Sequence, residues 1–456
     1  MVDNTVAHMV ADINNGQQYT LVVGLGVTGM SVVKYLRAEG KQVVVADTRE
    51  IPPGRNELEK DFAEVLLETG SFNEKTFVNA EQIIISPGVP MSSAVIQMAL
   101  AKKIDVIGDV ELFAREVTSP VIAITGSNGK STVTTLVGEM ARKAGINVAV
   151  GGNLGVPVLD LLKLKADLYV LELSSFQLET LYSLKPVAAT VLNISPDHMD
   201  RYDSVSAYAN VKLHIYDHSQ YAIINHDDEY LRNITTQSAN VIGFTLSEPG
   251  ENEYGLRLIN DVTWLCKGEQ KIIAEQDLKI GGRHNTANAL ASLALGDAAG
   301  FSMIAMLDAL REFTGLPHRT QWVAEKNNVS WFNDSKGTNV GATLAAIDGL
   351  SVKNKMVLIA GGLAKDADFY SLRQAVKEKV RCVILIGRDA DKINKDLGDV
   401  VPVYYANTME DAVKEANALA QSGDSVLLSP ACASFDMFNG YEHRGEIFMN
   451  AVRMLL

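Results

Sequence analysis

Three α/β domains, each built on a mostly parallel sheet, are predicted by three observations. The chain of 456 residues exceeds what one hydrophobic core usually serves. Apolar strands alternate with helix-like stretches, which implies sheets covered on both faces. Separate strand-and-helix units begin near Tyr19, at Val121 and after the segment GLPHR, with no short-period repeat and no low-complexity stretch. The domains are placed at 1–108, 109–316 and 317–456, with a loose tail over 1–18.

In the first unit, YTLVVGLGVTGMSVVKYLRAEGKQVVVADT puts Gly24, Gly26 and Gly29 between a strand and a helix, then a second strand ending in Asp47. A GxGxxG turn with an acid about 20 residues on marks a Rossmann-like beginning. The default inference is a dinucleotide dehydrogenase, and the motif alone is weak. EQIIISPGVP supplies another strand and turn, and GDVELFAREVTSP reads as the bridge to the next domain, with the boundary near Gly108.

Residues 121–135 read VIAITGSNGKSTVTT, an apolar strand running through a glycine turn into a helix. Phosphate needs backbone N–H groups that point inward unobstructed, and Gly126 and Gly129 give that freedom. Lys130 can neutralise the β/γ oxygens, Ser131 or Thr132 can offer a hydroxyl to Mg²⁺, and the helix N-terminus favours the same anion. A full P-loop would have glycine where Ile124 stands, so the turn is a shortened relative. The middle domain is therefore expected to be a P-loop-type ATPase unit. Hydride transfer needs no ATP cradle, so the first domain is expected to hold another nucleotide diphosphate rather than NAD(P).

The apolar strands DLYVLEL and VAATVLNIS follow, each ending in polar residues. Glu172, between Leu171 and Leu173, is costly in a buried strand unless paired, which favours a metal role over a solvated strand end. His198, in SPDHMDR, follows the next strand, where sites form, although a lone histidine is more often structural. Lys212, in NVKLHIY, taken alone is a solvated helix lysine. From Tyr221 to about Leu278 the pieces YAIIN, NVIGFTL and TWLCKG are shorter and more polar, and predict a small antiparallel excursion. GGRHNTANALASLALGDAAG then reads as a helix capped by Gly300 and closes the domain.

The third unit has strands VSWFND, KMVLIAGG, CVILIG and SVLLSP, with helical stretches such as DFYSLRQAVKEKV, and is again Rossmann-like. Asp334 and Lys336 follow a strand among turn formers, where a surface loop is the alternative. Lys365 could meet a carboxylate or be solvated. Ser434, in SPACASFD, lacks a GxSxG elbow, which disfavours a hydrolase triad.

Bulk properties narrow the function. A net charge of −14 argues against broad nucleic-acid binding. No apolar run approaches a membrane span, and the opening MVDNTVAHMVADINNGQQ lacks the basic start and apolar stretch of a signal peptide, so a cytoplasmic protein without membrane insertion is expected. Cys266, Cys382 and Cys432 lie far apart and form no CxxC pair, so neither disulfides nor a zinc site is expected.

TGSNGKST, LELSSFQLE, LNISPDHMDRY, HNTANALA, GLPHR, NDSKGTN and SPACAS occur in this order, and with them the chain closely resembles the Mur ligases, ATP-dependent amide-forming enzymes of cell-wall precursor assembly. GLGVTG, ISPGVP, GDVELF and SPACASFDMF resemble the branch that adds D-glutamate to UDP-N-acetylmuramoyl-L-alanine. The resemblance implies that the three domains bind the UDP portion, ATP and the amino acid in turn. It implies that Val27, Thr28, Asp47, Thr48, Arg49 and Gly88 surround uridine diphosphate, and that Asn153 helps hold the sugar-peptide. Gly126, Ser127, Asn128, Gly129, Lys130, Ser131 and Thr132 would hold the ATP phosphates, with Asn288, Arg319 and Asp334 on the rest of the nucleotide. Lys130, Glu172, His198 and a carbamylated Lys212 would be the catalytic groups, and Ser131, Glu172, His198 and that carbamate would organise two Mg²⁺ ions. Thr338, Lys365, Ser434 and the backbone near Tyr441 would hold D-glutamate. A monomer is expected. Gly337 stands where the family often has alanine. Folylpolyglutamate synthase shares the ATP chemistry but has no place for the GLGVTG domain, and a non-enzymatic nucleotide-binding regulator would need the turn without Glu172, His198 and Lys212 together.

Overall fold

A computed structural model describes residues 18–236, 238, 240–350, 352–364 and 367–455, so the tail expected at the N-terminus lies almost wholly outside the described residues. The described residues form three sheets. The first contains β1 (Thr20–Val23), β2 (Val43–Asp47), β3 (Leu66–Thr69), β4 (Gln82–Ile85) and β5 (Asp105–Gly108), all parallel in the order β3-β2-β1-β4-β5. TLVV and VVVAD are buried throughout, as strands covered on both faces must be. The expected strands β1, β2 and β4 are the inner three of this sheet. β3 and β5 flank them and carry little apolar signal, β3 being only half-buried.

The second sheet contains β6 (Val121–Thr125), β7 (Val148–Gly152), β8 (Leu168–Glu172), β9 (Ala188–Val191), β10 (Tyr221–Asn225), β11 (Asn240–Phe244), β12 (Tyr254–Ile259), β13 (Val262–Lys267) and β14 (Gln270–Ala274). Their order is β14-β13-β12-β11-β10-β9-β6-β8-β7. The antiparallel excursion is narrower than the sequence predicts. YAIIN and NVIGF pair parallel, β9 to β10 to β11, because the segment 226–239 is long enough for a crossover, and only β12 to β14 run antiparallel. The β12–β13 hairpin turns on Asn260 and Asp261, both left-handed at φ 51° and 59°, the conformation of a type I′ turn.

The third sheet contains β15 (Gln321–Lys326), β16 (Val329–Asn333), β17 (Met356–Gly361), β18 (Val380–Ile386), β19 (Val403–Tyr405) and β20 (Ser425–Leu428), in the order β15-β16-β20-β17-β18-β19. The four expected strands form its parallel centre. β15 is antiparallel to β16 through Asn327 and Asn328, at φ 53° and 59°, another two-residue turn. The helix Arg283–Ala298 ends as expected, with Gly300 at φ 79° and its N–H bonded to the Asp297 carbonyl.

One cluster of buried apolar side chains runs without interruption from the first sheet into the second. The third domain keeps its cores to itself. Cys266, Cys382 and Cys432 are free and buried. Among the described residues no helix is long and apolar enough to cross a membrane.

Candidate active site

In each sheet the chain reverses direction of growth about one central pair of strands, and the candidate residues gather at the C-terminal ends there, the place where open α/β sheets bind ligands. Beyond β1 and β4 a cavity of about 560 Å³ opens. Val27, Thr28, Asp47, Thr48, Arg49, Gly88 and Asn153 all line it, together with Gly24 and Gly26. Glycine is obligatory at Gly29, since a Cβ there would lie 1.9 Å from the Gly24 carbonyl oxygen. Asp47 accepts from the Leu25 N–H at 2.7 Å and from Arg49 through Nε at 2.8 Å and Nη2 at 2.6 Å. Burial works to raise this carboxyl, and the bonds from Arg49 and the backbone outweigh it and hold it below the usual range.

Beyond β6 the phosphate turn has Gly126 at φ 150° and Gly129 at φ 83°. A Cβ on Gly129 would meet Asn288 Oδ1 at 2.5 Å, so the turn and the helix Arg283–Ala298 approach only because that residue is glycine. Lys130 Nζ donates to the carbonyls of Gly126 at 2.7 Å and Ser127 at 2.9 Å, and loss of solvent lowers its amine below the ordinary lysine value. Asn193 and Ser195, just after β9, brace the turn. Asn193 Oδ1 accepts from the Asn128 N–H at 2.8 Å, and Ser127 Oγ donates to the Ser195 carbonyl at 2.9 Å.

Asn128, Gly129, Thr132, Asn288, Arg319 and Asp334 line a second cavity, of about 300 Å³, between the second and third sheets. Arg319 lies between two left-handed residues, His318 and Thr320, and its Nη2 donates to Ser131 Oγ at 2.8 Å. Asp334 is buried, accepting from Ser429 Oγ at 2.7 Å and the Thr320 N–H at 3.0 Å, and burial pushes its carboxyl up to about 6. It is no surface-loop residue.

Glu172 ends β8 with 2% of its surface exposed. Its Oε1 accepts from Asn153 Nδ2 at 2.6 Å, and its Oε2 is sealed from solvent without a partner. An unmatched buried carboxylate oxygen costs on the order of 1–3 kcal/mol, which a cation would offset. Among the described residues no group of three or more His, Cys, Asp and Glu assembles, so any donor set here is mixed and would be completed by phosphate and water, as suits a hard ion such as Mg²⁺.

His198 has φ 57° and sets its ring edge-on to Phe176 at 4.8 Å. Lys212 is not the solvated lysine that its helix alone suggests. It is 1% exposed, because the helix Val205–Leu213 lies against the phosphate turn, and its Nζ donates to the Gly126 carbonyl at 3.1 Å and Thr125 Oγ1 at 3.3 Å. Burial, assisted by the charge of Lys130, pushes its amine well below the ordinary value.

In the third domain, Thr338 follows β16 and bonds its N–H to the Lys336 carbonyl at 2.8 Å. Ser434 is buried in the segment after β20, and that segment is tied to the first through the Ala431 N–H and the Gly337 carbonyl at 2.9 Å. The Tyr441 carbonyl accepts from Ser335 Oγ at 2.8 Å, and Lys336 Nζ lies 3.7 Å from the Tyr441 ring centre. Lys365 lies outside the described residues. Asn193, Ser195, Asn339 and Arg444 also stand at the site and are not among the residues that the sequence singles out. Asn339 Nδ2 donates to Asn128 Oδ1 at 3.3 Å and Asp197 Oδ2 at 3.2 Å, and the fully buried Arg444 donates to the carbonyls of Ser335 and Cys432. Polar residues packed directly behind an apolar strand were the available signal for Asn193 and Ser195.

Three family profiles match the chain: Mur ligase MurD-like, N-terminal domain, over 18–108; Mur ligase middle domain over 124–296; and Mur ligase, glutamate ligase domain, over 318–432. The UDP-N-acetylmuramoylalanine--D-glutamate ligase of Nitrosococcus oceani is 50% identical over 438 residues, covering 96% of this chain and 97% of that protein. The ligase of the same name from Pseudomonas putida is 49% identical, with 95% and 97% covered. Among solved structures, a pseudomurein peptide ligase type C from Methanothermus fervidus aligns with a TM-score of 0.63 at 16% identity, covering 96% of this chain and 100% of that one. UDP-N-acetylmuramate-alanine ligase from Thermotoga maritima aligns at 0.59 and 17%, with 96% and 100% covered. At these identities the structural likeness concerns the fold alone.

Proposed function

The chain belongs to the Mur ligase family, and we propose that it is an ATP-dependent ligase joining D-glutamate to the L-alanyl carboxylate of UDP-N-acetylmuramoyl-L-alanine in peptidoglycan precursor synthesis. The observation that carries this reading is the 2.6 Å bond by which Asn153, in the lining of the first-sheet cavity, reaches Glu172 at the end of β8, the strand that pairs with β6 just before the phosphate turn. A dehydrogenase would have no use for that junction.

In this reading Val27, Thr28, Asp47, Thr48, Arg49 and Gly88 hold the UDP portion, and Asn153 directs the sugar-peptide toward Glu172. Residues 126–132 with Asn288, Arg319 and Asp334 hold ATP, and Thr338, Lys365, Ser434 and Tyr441 hold D-glutamate. The domains are 1–108, 109–316 and 317–456, one for each ligand. Since one chain supplies all three sites, it would act as a monomer, in the cytoplasm.

A carboxylate oxygen is a poor leaving group, and phosphorylation makes it a good one. The L-alanyl carboxylate attacks the γ-phosphorus, the bond to the bridging oxygen breaks, and ADP departs from an acyl phosphate. The D-glutamate amine then attacks the acyl carbon, its proton passes to solvent, and the carbon–oxygen bond breaks to release phosphate. Lys130 stabilises charge on the transferring group by position and electrostatics. Ser131, Glu172, His198 and a carbamylated Lys212 would hold two Mg²⁺ ions, which supply further neutralisation of the phosphate oxygens. The unpartnered Glu172 Oε2 supports that assignment, and the depressed Lys212 amine supports the carbamate, because carbon dioxide adds only to the neutral form.

The test is phosphate release with ATP, UDP-N-acetylmuramoyl-L-alanine and either enantiomer of glutamate. Turnover with D-glutamate alone is expected. Equal turnover with L-glutamate, or none with either, contradicts the reading.

A further inference from the structure

The loop 195–202 that carries His198 reaches the first domain through the side chain of Arg201. Its Nη1 donates to the Pro87 carbonyl at 3.0 Å, and its Nη2 to the Val89 carbonyl at 3.4 Å and to Glu179 Oε2 at 2.7 Å. Pro87, Gly88 and Val89 line the cavity of the first sheet. The guanidinium also lies 4.2 Å from the centre of the Phe176 ring, whose edge-on partner is His198 at 4.8 Å. Tyr202 stacks on the same ring and donates to Glu179 Oε1 at 2.6 Å.

The backbone closes the same unit. The N–H groups of Arg201 and Tyr202 both donate to the His198 carbonyl, at 2.9 and 3.3 Å, around a histidine in the left-handed region. A residue with a Cβ stays in that region when its surroundings hold it there. Phe176, whose ring meets the histidine, Asp197, whose carboxylate accepts from the His198 N–H at 3.0 Å, and the Arg201–Glu179 pair are part of those surroundings. A purely structural ion pair would need only Glu179. Here the planar fork also meets two carbonyls of another domain, holding three acceptors at once in a fixed geometry that a flexible lysine ammonium does not impose.

We propose that Arg201 is a positioning residue that couples occupancy of the first-sheet cavity to the placement of His198. A nucleoside diphosphate settling against the Pro87–Val89 turn fixes the carbonyls that Arg201 grips, and Arg201 fixes the turn that presents His198. The proposal rests on the ligase reading in taking His198 as part of the reacting site.

Two readouts on the full chain separate the possibilities, using wild type, Arg201→Lys and Arg201→Ala. In steady-state phosphate release, Arg201→Ala should raise KM for the sugar nucleotide and lower kcat together, reducing kcat/KM by roughly 10- to 100-fold and moving KM for ATP less than about twofold. Arg201→Lys should restore part of the KM and little of kcat. A raised KM with unchanged kcat, or an equal rise in every KM, overturns the coupling. The second readout needs no turnover: amide exchange across 195–202, with UDP alone as the probe. UDP should slow exchange in wild type and not in Arg201→Ala. Equal protection in both, or in neither, overturns the proposal, whereas intact coupling in a wild type that makes no product would sink the ligase reading alone.

Discussion

Between the first and second sheets, Phe113 and Tyr169 meet edge to face at 5.3 Å inside a continuous cluster of buried apolar side chains. Between the second and third, the joints are Arg319 to Ser131 and Asn339 to Asn128 and Asp197, arranged around a cavity of about 300 Å³. Close-packed hydrocarbon resists sliding, while single hydrogen bonds can be exchanged for bonds to a ligand. The cavity of the first sheet therefore sits on a rigid seat beside the phosphate turn. The joint to the third domain, made of exchangeable hydrogen bonds around a cavity, is the one expected to yield first, as the proposed reaction would require to keep its acyl phosphate from water.

The apolar joint should give the largest effect on stability. Phe113→Ala is expected to lower unfolding free energy by about 3–5 kcal/mol, since it empties a fully buried aromatic site within the cluster that joins the first two domains, and denaturant titration would measure it. A loss below about 1 kcal/mol would mean that the joint is looser than its packing implies. At the phosphate turn, Lys130→Ala should leave stability largely intact and lower turnover by about 10²-fold or more. Near-normal product formation would remove Lys130 from the chemistry.

The polar joint should also respond to pH. Asp334 is raised by burial from 3.8 to about 6, so the folded chain keeps a proton that the unfolded chain has lost. Its contribution to stability is therefore fully present below about pH 4 and is lost as pH rises toward about 6, some 3 kcal/mol at about 1.4 kcal/mol per unit. Asp334→Asn cannot titrate, so its stability relative to wild type should improve by that amount across the window. Parallel curves would place the proton elsewhere. The smallest effect is expected from Asn339→Ala, about 0.5–1.5 kcal/mol of stability per lost bond, with a raised KM for the amino acid. An unchanged KM would separate Asn339 from closure of the third domain.

Central strands were legible because strands covered on both faces are near-continuous apolar runs, as in VVVAD and VIAIT up to their last residue. Flanking strands such as β3 and β19 were not, because partial exposure removes that signal. The two-residue turns at Asn260–Asp261 and Asn327–Asn328 were readable from residue type and were passed over. Glycine turns announced the phosphate site by chemistry that needs no tertiary context. Burial of Lys212 could not be read from its own helix, since it depends on where that helix lies against residues 125 and 126, far away in the chain. Asn339 and Arg201 were hidden for the same reason: their partners belong to other domains.

The central claim is that the junction at Asn153 and Glu172 delivers a carboxylate to the γ-phosphate. The most direct test labels the L-alanyl carboxylate of the sugar nucleotide with heavy oxygen and follows the label through one turnover. Transfer of one labelled oxygen into the released phosphate is the predicted result. Product amide that forms while the phosphate stays unlabelled would contradict the account.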